Sequence, residues 1–186
     1  MDAFSYLSVL LSIILGLAVQ QVLQGYRALI LSRRRIIFYA PPLIWSVLIL
    51  TMVAQHWWAS FGLAGRGAWS FGLFATILIQ TALIYMMAAI VLPDVPADEK
   101  LDLRDHYYRE APAFFGLGAA TVGWSLFREY MLFGGLPMLA NLGFHLAWIA
   151  MALTAVLVKK PRLHEALALI MAALFAVYIA LLFARL

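Results

Sequence analysis

The sequence predicts an all-α integral membrane protein, a single domain formed by six transmembrane helices with short loops and both termini on the non-cytoplasmic side. Three observations predict it. Of the 186 residues, 66% are hydrophobic and 12% are charged, which is about half the charged share of a soluble domain. The apolar residues fall into six stretches, each about long enough to cross a bilayer core of roughly 30 Å. The basic residues collect in alternate loops, a pattern that fixes orientation in membranes.

The first two spans are predicted at residues 4–31 and 36–61. At about 1.5 Å per residue the first span is longer than the bilayer core, so we expect it to be tilted or to project from the membrane. Three consecutive arginines, residues 33–35, follow it. Pro41 and Pro42 lie near the start of the second span, where proline is best tolerated, and a kink is expected if this helix already begins at residue 36.

The third span is predicted at residues 71–92 and ends at Pro93. Residues 94–110 form the longest polar stretch and are predicted to be a cytoplasmic loop that carries both acidic and basic side chains. The fourth span is predicted at residues 111–132, with Pro112 near its start. The chain is therefore expected to re-enter the membrane directly after the polar loop.

The fifth and sixth spans are predicted at residues 138–158 and 166–186. With six spans the odd and even loops lie on opposite sides of the membrane, and ten basic residues fall on one side against three on the other. The ten are Arg27, Arg33, Arg34, Arg35, Lys100, Arg104, Arg109, Lys159, Lys160 and Arg162, and the three are Arg66, Arg128 and Arg185. Since basic loops stay cytoplasmic, we expect both termini outside. A prokaryotic cytoplasmic (plasma) membrane is the expected location.

The first span carries a stripe of small and polar residues on one helical face. At about 100° per residue, these positions fall close together. They are Ser5, Ser8, Ser12, Gly16, Gln20, Gln24 and Arg27. Small residues and amides favour close helix packing, and the same face could line a hydrated pathway. Both interpretations remain open, and Gln20 is also the expected partner of Gln80, the amide near the middle of the third span.

A second polar cluster joins the second and fifth spans. Gln55 and His56 lie on the second span, and Asn141 and His145 share one face of the fifth. Because the two spans run in opposite directions, both histidines are expected in the outer half of the membrane at a similar depth. Arg128 and Glu129, near the outer end of the fourth span, are expected at the same level. These six residues predict a polar chamber that opens to the outside.

Three interpretations of the two histidines remain. They could form hydrogen bonds to neighbouring helices. They could form a solute or proton site, since histidine titrates near neutral pH. They could also act together as the two axial ligands of a haem. No further haem motif is present, and the cofactor is unknown. The sequence has no cysteine, which excludes disulfides and thiolate metal sites. Asp105-His106 and His164-Glu165 are expected to be solvated interfacial pairs.

The sequence lacks the hydrolase, metalloprotease and nucleotide-binding motifs that carry a known mechanism, and an enzyme is not favoured. The basic residues are explained by topology, so no nucleic-acid partner is expected. We expect a channel or transporter for an ion or small solute, oligomeric with itself or with a membrane-protein partner. The alternatives are a non-catalytic assembly or sensory subunit of a larger complex, and a bis-histidine electron-transfer protein. The expected pathway residues are Gln20, Gln24, Gln55, His56, Gln80, Arg128, Glu129, Asn141 and His145.

Overall fold

A computed structural model describes residues 3–94 and 100–182 of the chain. The described residues form six α-helices in a closed arrangement. In this arrangement α1 packs against α2 and α3, α4 packs between α3 and α5, and α6 packs against α5 and α2. The helices are α1 (Ala3–Leu31), α2 (Ala40–Ser60), α3 (Phe71–Ile90), α4 (Leu103–Phe133), α5 (Leu139–Leu157) and α6 (Pro161–Leu182).

Among the described residues, five helices are long and apolar enough to cross a membrane. These spans are Phe4–Leu31, Ala40–Leu63, Phe71–Ile90, Leu139–Leu157 and Pro161–Leu181. Helix α4 is the exception. Its uncharged middle, residues 111–127, contains three glycines, Pro112, Thr121 and Ser125, so it is less apolar than the other helices, and charged side chains flank it on both sides. The all-α architecture and the membrane character predicted from the sequence are therefore supported, with α4 as the most polar helix of the bundle.

The second helix begins later than the sequence predicts. Residues Ile36–Ile37 form a short strand, β1, which pairs in parallel with Leu101–Asp102, β2. Helix α2 then starts at Ala40 and holds Pro41 and Pro42 in its first turn, where the missing proline N–H groups have no helical acceptor to lose. The kink expected for a helix that starts at residue 36 does not arise.

The fourth helix begins earlier than the predicted residue 111. Asp102 caps it, and its Oδ1 accepts a hydrogen bond from the Arg104 backbone N–H at 2.8 Å. Pro112 thus lies inside the helix rather than at its start. Pro112 favoured a helix start at this point in the sequence, and the Asp102 cap was not predicted. Much of the predicted loop 94–110 is therefore helical, while Asp98 and Glu99 in it lie outside the described residues.

The sixth helix also begins before its predicted start at residue 166. Pro161 occupies its first position, which proline favours because its fixed φ suits a helix start. The remaining predicted boundaries agree with the structure to within about two residues, the usual spread of helix ends. The end of the predicted sixth span, at residues 183–186 with Arg185, lies outside the described residues.

An aromatic layer lies in the core of the bundle between α2, α4 and α5. We use this name for Trp45 of α2, Phe114 and Phe115 of α4, and Trp148 of α5. The Trp45 ring packs edge-on against the other three, with ring centroids 5.5, 5.1 and 6.0 Å away, respectively. All four side chains are buried. The layer fills the space between the helices on the side of the bundle where α2 and α4 begin.

Helix α1 packs closely at Gly25 against Leu92, just after the end of α3. A Cβ atom placed on Gly25 would lie 2.7 Å from Cβ and 2.8 Å from Cδ1 of Leu92. A Cβ is fixed to the backbone, so Leu92 cannot yield by changing its rotamer alone. The position therefore requires glycine for close approach of the two segments.

We expect Gly25→Ala to lower the free energy of unfolding by about 1–3 kcal/mol, the usual penalty for overpacking. Gly143→Ala on α5 is the matched control, because no atom lies within 4 Å of a Cβ at that position, and alanine favours helix by up to about 1 kcal/mol over glycine. Reversible unfolding of the detergent-solubilised protein with SDS measures both. Equal stability of the two variants would contradict the close contact.

Candidate functional site

A chamber lies between α2, α3, α4, α5 and α6, next to the aromatic layer and towards the end of the bundle where α2 ends and α5 begins. Its volume is about 70 Å³, which is room for roughly five water molecules at the ≳ 10–15 Å³ that one water needs. Most of the wall is apolar, and each of the five helices contributes at least one polar side chain. These are Gln55, His56, Gln80, Thr121, Ser125, His145 and Tyr178.

His56 is held in one orientation by a neighbouring helix. Its Nε2 lies 3.0 Å from Thr81 Oγ1, and Thr81 donates its single hydroxyl hydrogen to the Ile77 carbonyl oxygen at 2.9 Å. The imidazole must therefore donate from Nε2, so the neutral ring has its lone pair on Nδ1. His56 is almost completely buried, which makes this hydrogen bond the fixed point of the α2 side of the chamber.

His145 has the opposite tautomer. Its Nδ1 lies 2.8 Å from the Asn141 carbonyl oxygen and must donate to it, since a carbonyl only accepts. In the neutral ring Nε2 then accepts a hydrogen bond from Ser125 Oγ at 3.2 Å. The chamber is thus lined by two imidazoles whose proton-bearing nitrogens differ, and Ser125 connects α4 to α5 through one of them.

Gln80 carries the most unusual polar atom of the chamber. The side chain is 5% exposed, and within the described residues its Oε1 has no hydrogen-bond donor. A buried acceptor without a donor costs about 1–3 kcal/mol. Gln80 lines the chamber, but Oε1 itself is buried in the wall, so water or a solute can donate to this oxygen only when the amide turns towards the chamber.

Three of the predicted residues extend the polar region beyond the chamber wall. The Asn141 side-chain amide lies 3.4 Å from both carboxylate oxygens of Glu129. The Arg128 guanidinium interacts electrostatically with His56, His145 and Glu129, and within the described chain its buried Nε has no hydrogen-bond partner. This places an arginine and a glutamate beside the histidines, on the α4–α5 side of the chamber.

The structure places Gln20 and Gln24 elsewhere. Both side chains are exposed on the outer face of α1, and α1 contributes nothing to the chamber wall. The expected contact between Gln20 and Gln80 is therefore absent from the described structure. Of the nine predicted pathway residues, the chamber brings together Gln55, His56, Gln80 and His145 as lining residues, with Arg128, Glu129 and Asn141 next to them.

The geometry fits a haem poorly. Nε2 of His56 already bonds Thr81, and Nε2 of His145 already bonds Ser125. A chamber of about 70 Å³ is also well below the roughly 300–1,000 Å³ typical of sites for drug-sized ligands. No cluster of three or more histidine, aspartate or glutamate side chains suited to a metal ion occurs within residues 3–94 and 100–182.

The two remaining histidines are buried, in contrast to the solvated pairs expected from the sequence. His164 Nε2 donates to the Val158 carbonyl oxygen at 2.8 Å, while Nδ1 lies 2.9 Å from the Tyr107 hydroxyl. Burial raises the pKa of the Tyr107 hydroxyl above its ordinary range, so it stays protonated and donates to Nδ1. Burial lowers the pKa of His106. The carboxylate next to each histidine in the sequence predicted that the histidine is exposed to solvent, but both imidazoles point into the bundle.

Comparisons with known proteins identify no relative. No protein-family model, no curated protein and no solved structure matches the chain.

Proposed function

We propose that the protein is a six-span membrane transporter or channel for small polar solutes or protons, in which the chamber is the solute site. The single observation that supports this most is the buried Gln80 side chain, which lines a chamber shared with two histidines and whose Oε1 has no hydrogen-bond donor within the described residues. Polar groups inside a membrane are costly, and they commonly mark substrate or proton pathways. A purely structural role would more simply be filled by apolar side chains.

The proposed topology has α4 as the sixth span and both termini on the non-cytoplasmic side. The distribution of basic residues supports this orientation, because the arginines at 33–35 and the Lys159-Lys160 turn lie at the same end of the bundle as the start of α4. The chamber then opens towards the outside, and the aromatic layer lies on its cytoplasmic side. A prokaryotic cytoplasmic membrane is the location we propose for this arrangement.

The aromatic layer is the proposed gate. Trp148 both lines the chamber and packs edge-on against Trp45, so it separates the chamber from the opposite end of the bundle. Passage through the protein requires the Trp148 side chain to move, because close-packed rings leave no space for water. In the proposed arrangement the chamber is open on one side and closed by the aromatic layer on the other, as alternating or gated transport requires.

A membrane subunit that docks partners through the polar loop at residues 94–110 is the alternative function. The described part of that loop is tied to the bundle, because Leu101 and Asp102 pair with β1 and Asp102 caps α4. A segment held in this way is less suited to serve as a free docking arm. This alternative also does not account for the polar side chains of the chamber, so transport has the better support.

Flux measurements on the purified protein in proteoliposomes test the proposal. The probes are protons, followed with an internal pH dye under a valinomycin-clamped potential, and water, urea and glycerol, followed by light scattering. These solutes are small enough for the chamber. We expect flux of at least one probe above that of protein-free liposomes, and no flux of any of the four would contradict the proposal.

His145→Leu is expected to reduce that flux about tenfold or more, since it removes the Nε2 acceptor and leaves Ser125 unpaired at the chamber wall. Leu153→Ala is the matched control on the same helix, because Leu153 is 51% exposed and does not line the chamber. Melting curves establish that both variants are folded. Equal flux in the two variants would argue that His145 only packs helices.

A further inference from the structure

The outer face of α1 carries a polar row that nothing else in the described chain covers. Helix α1 buries Leu7, Leu11, Leu15, Ala18 and Val22 against the bundle, while Ser12, Gly16, Gln20 and Gln24 are exposed. These four exposed positions follow each other at intervals of four residues. They therefore form one continuous ridge along the helix surface.

The glutamines of this row lie at membrane depth. The apolar span of α1 is Phe4–Leu31, so Gln20 falls within one turn of its midpoint. Gln24 is one turn further, still within the roughly 15 Å half-thickness of a bilayer core at about 1.5 Å per residue. Neither amide makes a hydrogen bond or ion pair with any residue of the described structure. Lipid chains offer no hydrogen bond, so these two amides require a partner.

We propose that the row Ser12–Gly16–Gln20–Gln24 is the interface of a homodimer, in which it packs against the same row of a second copy. The basic clusters at residues 33–35 and 159–162 orient every copy in the same way, so a two-fold axis along the membrane normal brings each residue of the row opposite its own counterpart. A glutamine amide carries both donors and an acceptor, so two facing copies satisfy each other. Such an interface is self-complementary, so it needs no different surface on the partner.

The positions within the row suit such a crossing. A Cβ at Gly16 would meet no atom within 4 Å, so the backbone is open for close approach. Small residues spaced by four support right-handed crossings of about −40°. With the crossing point at Gly16, Gln20 lies about 6 Å along the helix and Gln24 about 12 Å, within reach of long side chains. Arg27 lies further out, where the helices diverge and two like charges do not meet.

This inference is independent of the proposed transport function, because it depends only on which face of α1 is exposed. The chain has no cysteine, so single-cysteine variants report contacts cleanly. Ser12→Cys and Gln20→Cys probe the row. Val47→Cys on α2 and Leu153→Cys on α5 are controls, since these side chains are 55% and 51% exposed on other helices.

The purified variants are reconstituted in liposomes at low protein density and oxidised with copper phenanthroline. We expect disulfide-linked dimers in the row variants at least about fivefold above the controls, because a disulfide requires Cβ atoms within roughly 4.5 Å. Adding Gly16→Ile is expected to return cross-linking to the control level, whereas Gly16→Ala should retain more of it. Row variants that cross-link no more than the controls would overturn the proposal.

The same oxidation in the membranes of expressing cells distinguishes a second copy from another membrane protein. A product at twice the mass of the chain, present for the row variants and absent for the controls, supports the homodimer. A row-specific adduct of a different mass, with no dimer, overturns it in favour of a different partner. Melting curves of the single-cysteine proteins establish that each variant is folded, as expected for exposed positions.

Discussion

Trp45→Ala is expected to lower the free energy of unfolding by about 3 kcal/mol. Trp45 is 1% exposed and contacts three other aromatic rings edge-on. Large-to-small changes at buried aromatic residues typically cost about 3–5 kcal/mol. The lower end applies here, because the apolar bilayer removes part of the transfer contribution and leaves the lost contacts and the cavity. Trp45→Phe fills most of the space and should be far less damaging.

SDS titration of the solubilised protein, followed by far-UV circular dichroism, measures the loss. Trp58→Ala is the control on the same helix, since Trp58 is 42% exposed and a surface change should shift stability by only about 0.5 kcal/mol. If both tryptophans contribute equally, the aromatic layer is not the packing centre of the bundle. Loss of the layer should also make the bundle leaky to the smallest flux probes.

The sequence predicts helices well because bilayer thickness and hydropathy constrain them directly. It also predicted His56 and His145 at a similar depth, because both lie a few residues from helix ends at the same end of the bundle, and in the structure both line one chamber. This step needed only the alternation of helix direction. Their partners Thr81 and Ser125 could not be predicted in the same way, because contacts between helices depend on rotation about each helix axis.

Rotation is also why the sequence could not decide which way the polar face of α1 points. In water the apolar face of a helix turns inward, but in lipid both faces can be apolar, and a polar stripe gives no direction by itself. The Leu7–Leu11–Leu15 face of α1 is as apolar as a lipid-facing surface and nevertheless forms the packed side. Gln20 and Gln24 were therefore predicted for the pathway, whereas the structure exposes them on the outside of the bundle.

Gln80→Met is expected to raise the free energy of unfolding by about 1 kcal/mol and to reduce flux through the protein about tenfold. Methionine has nearly the shape of glutamine and no strong acceptor, so it removes a buried oxygen that lacks a donor in the described structure. Its thioether cannot replace the carbonyl as a hydrogen-bond acceptor for a solute. Stability and activity should thus change in opposite directions.

Thr81→Val is the matched control, because it lies next in the sequence and changes the shape of the side chain as little. Its Oγ1 accepts from His56 Nε2, so valine leaves a buried imidazole N–H without an acceptor and should lower stability by about 1–3 kcal/mol. The two variants should thus change the free energy of unfolding in opposite directions. This difference distinguishes a polar group that is hydrogen-bonded within the protein from one that binds a ligand. If Gln80→Met destabilises the protein and leaves flux unchanged, the Gln80 carbonyl has a structural partner in the membrane and the chamber is not a solute site.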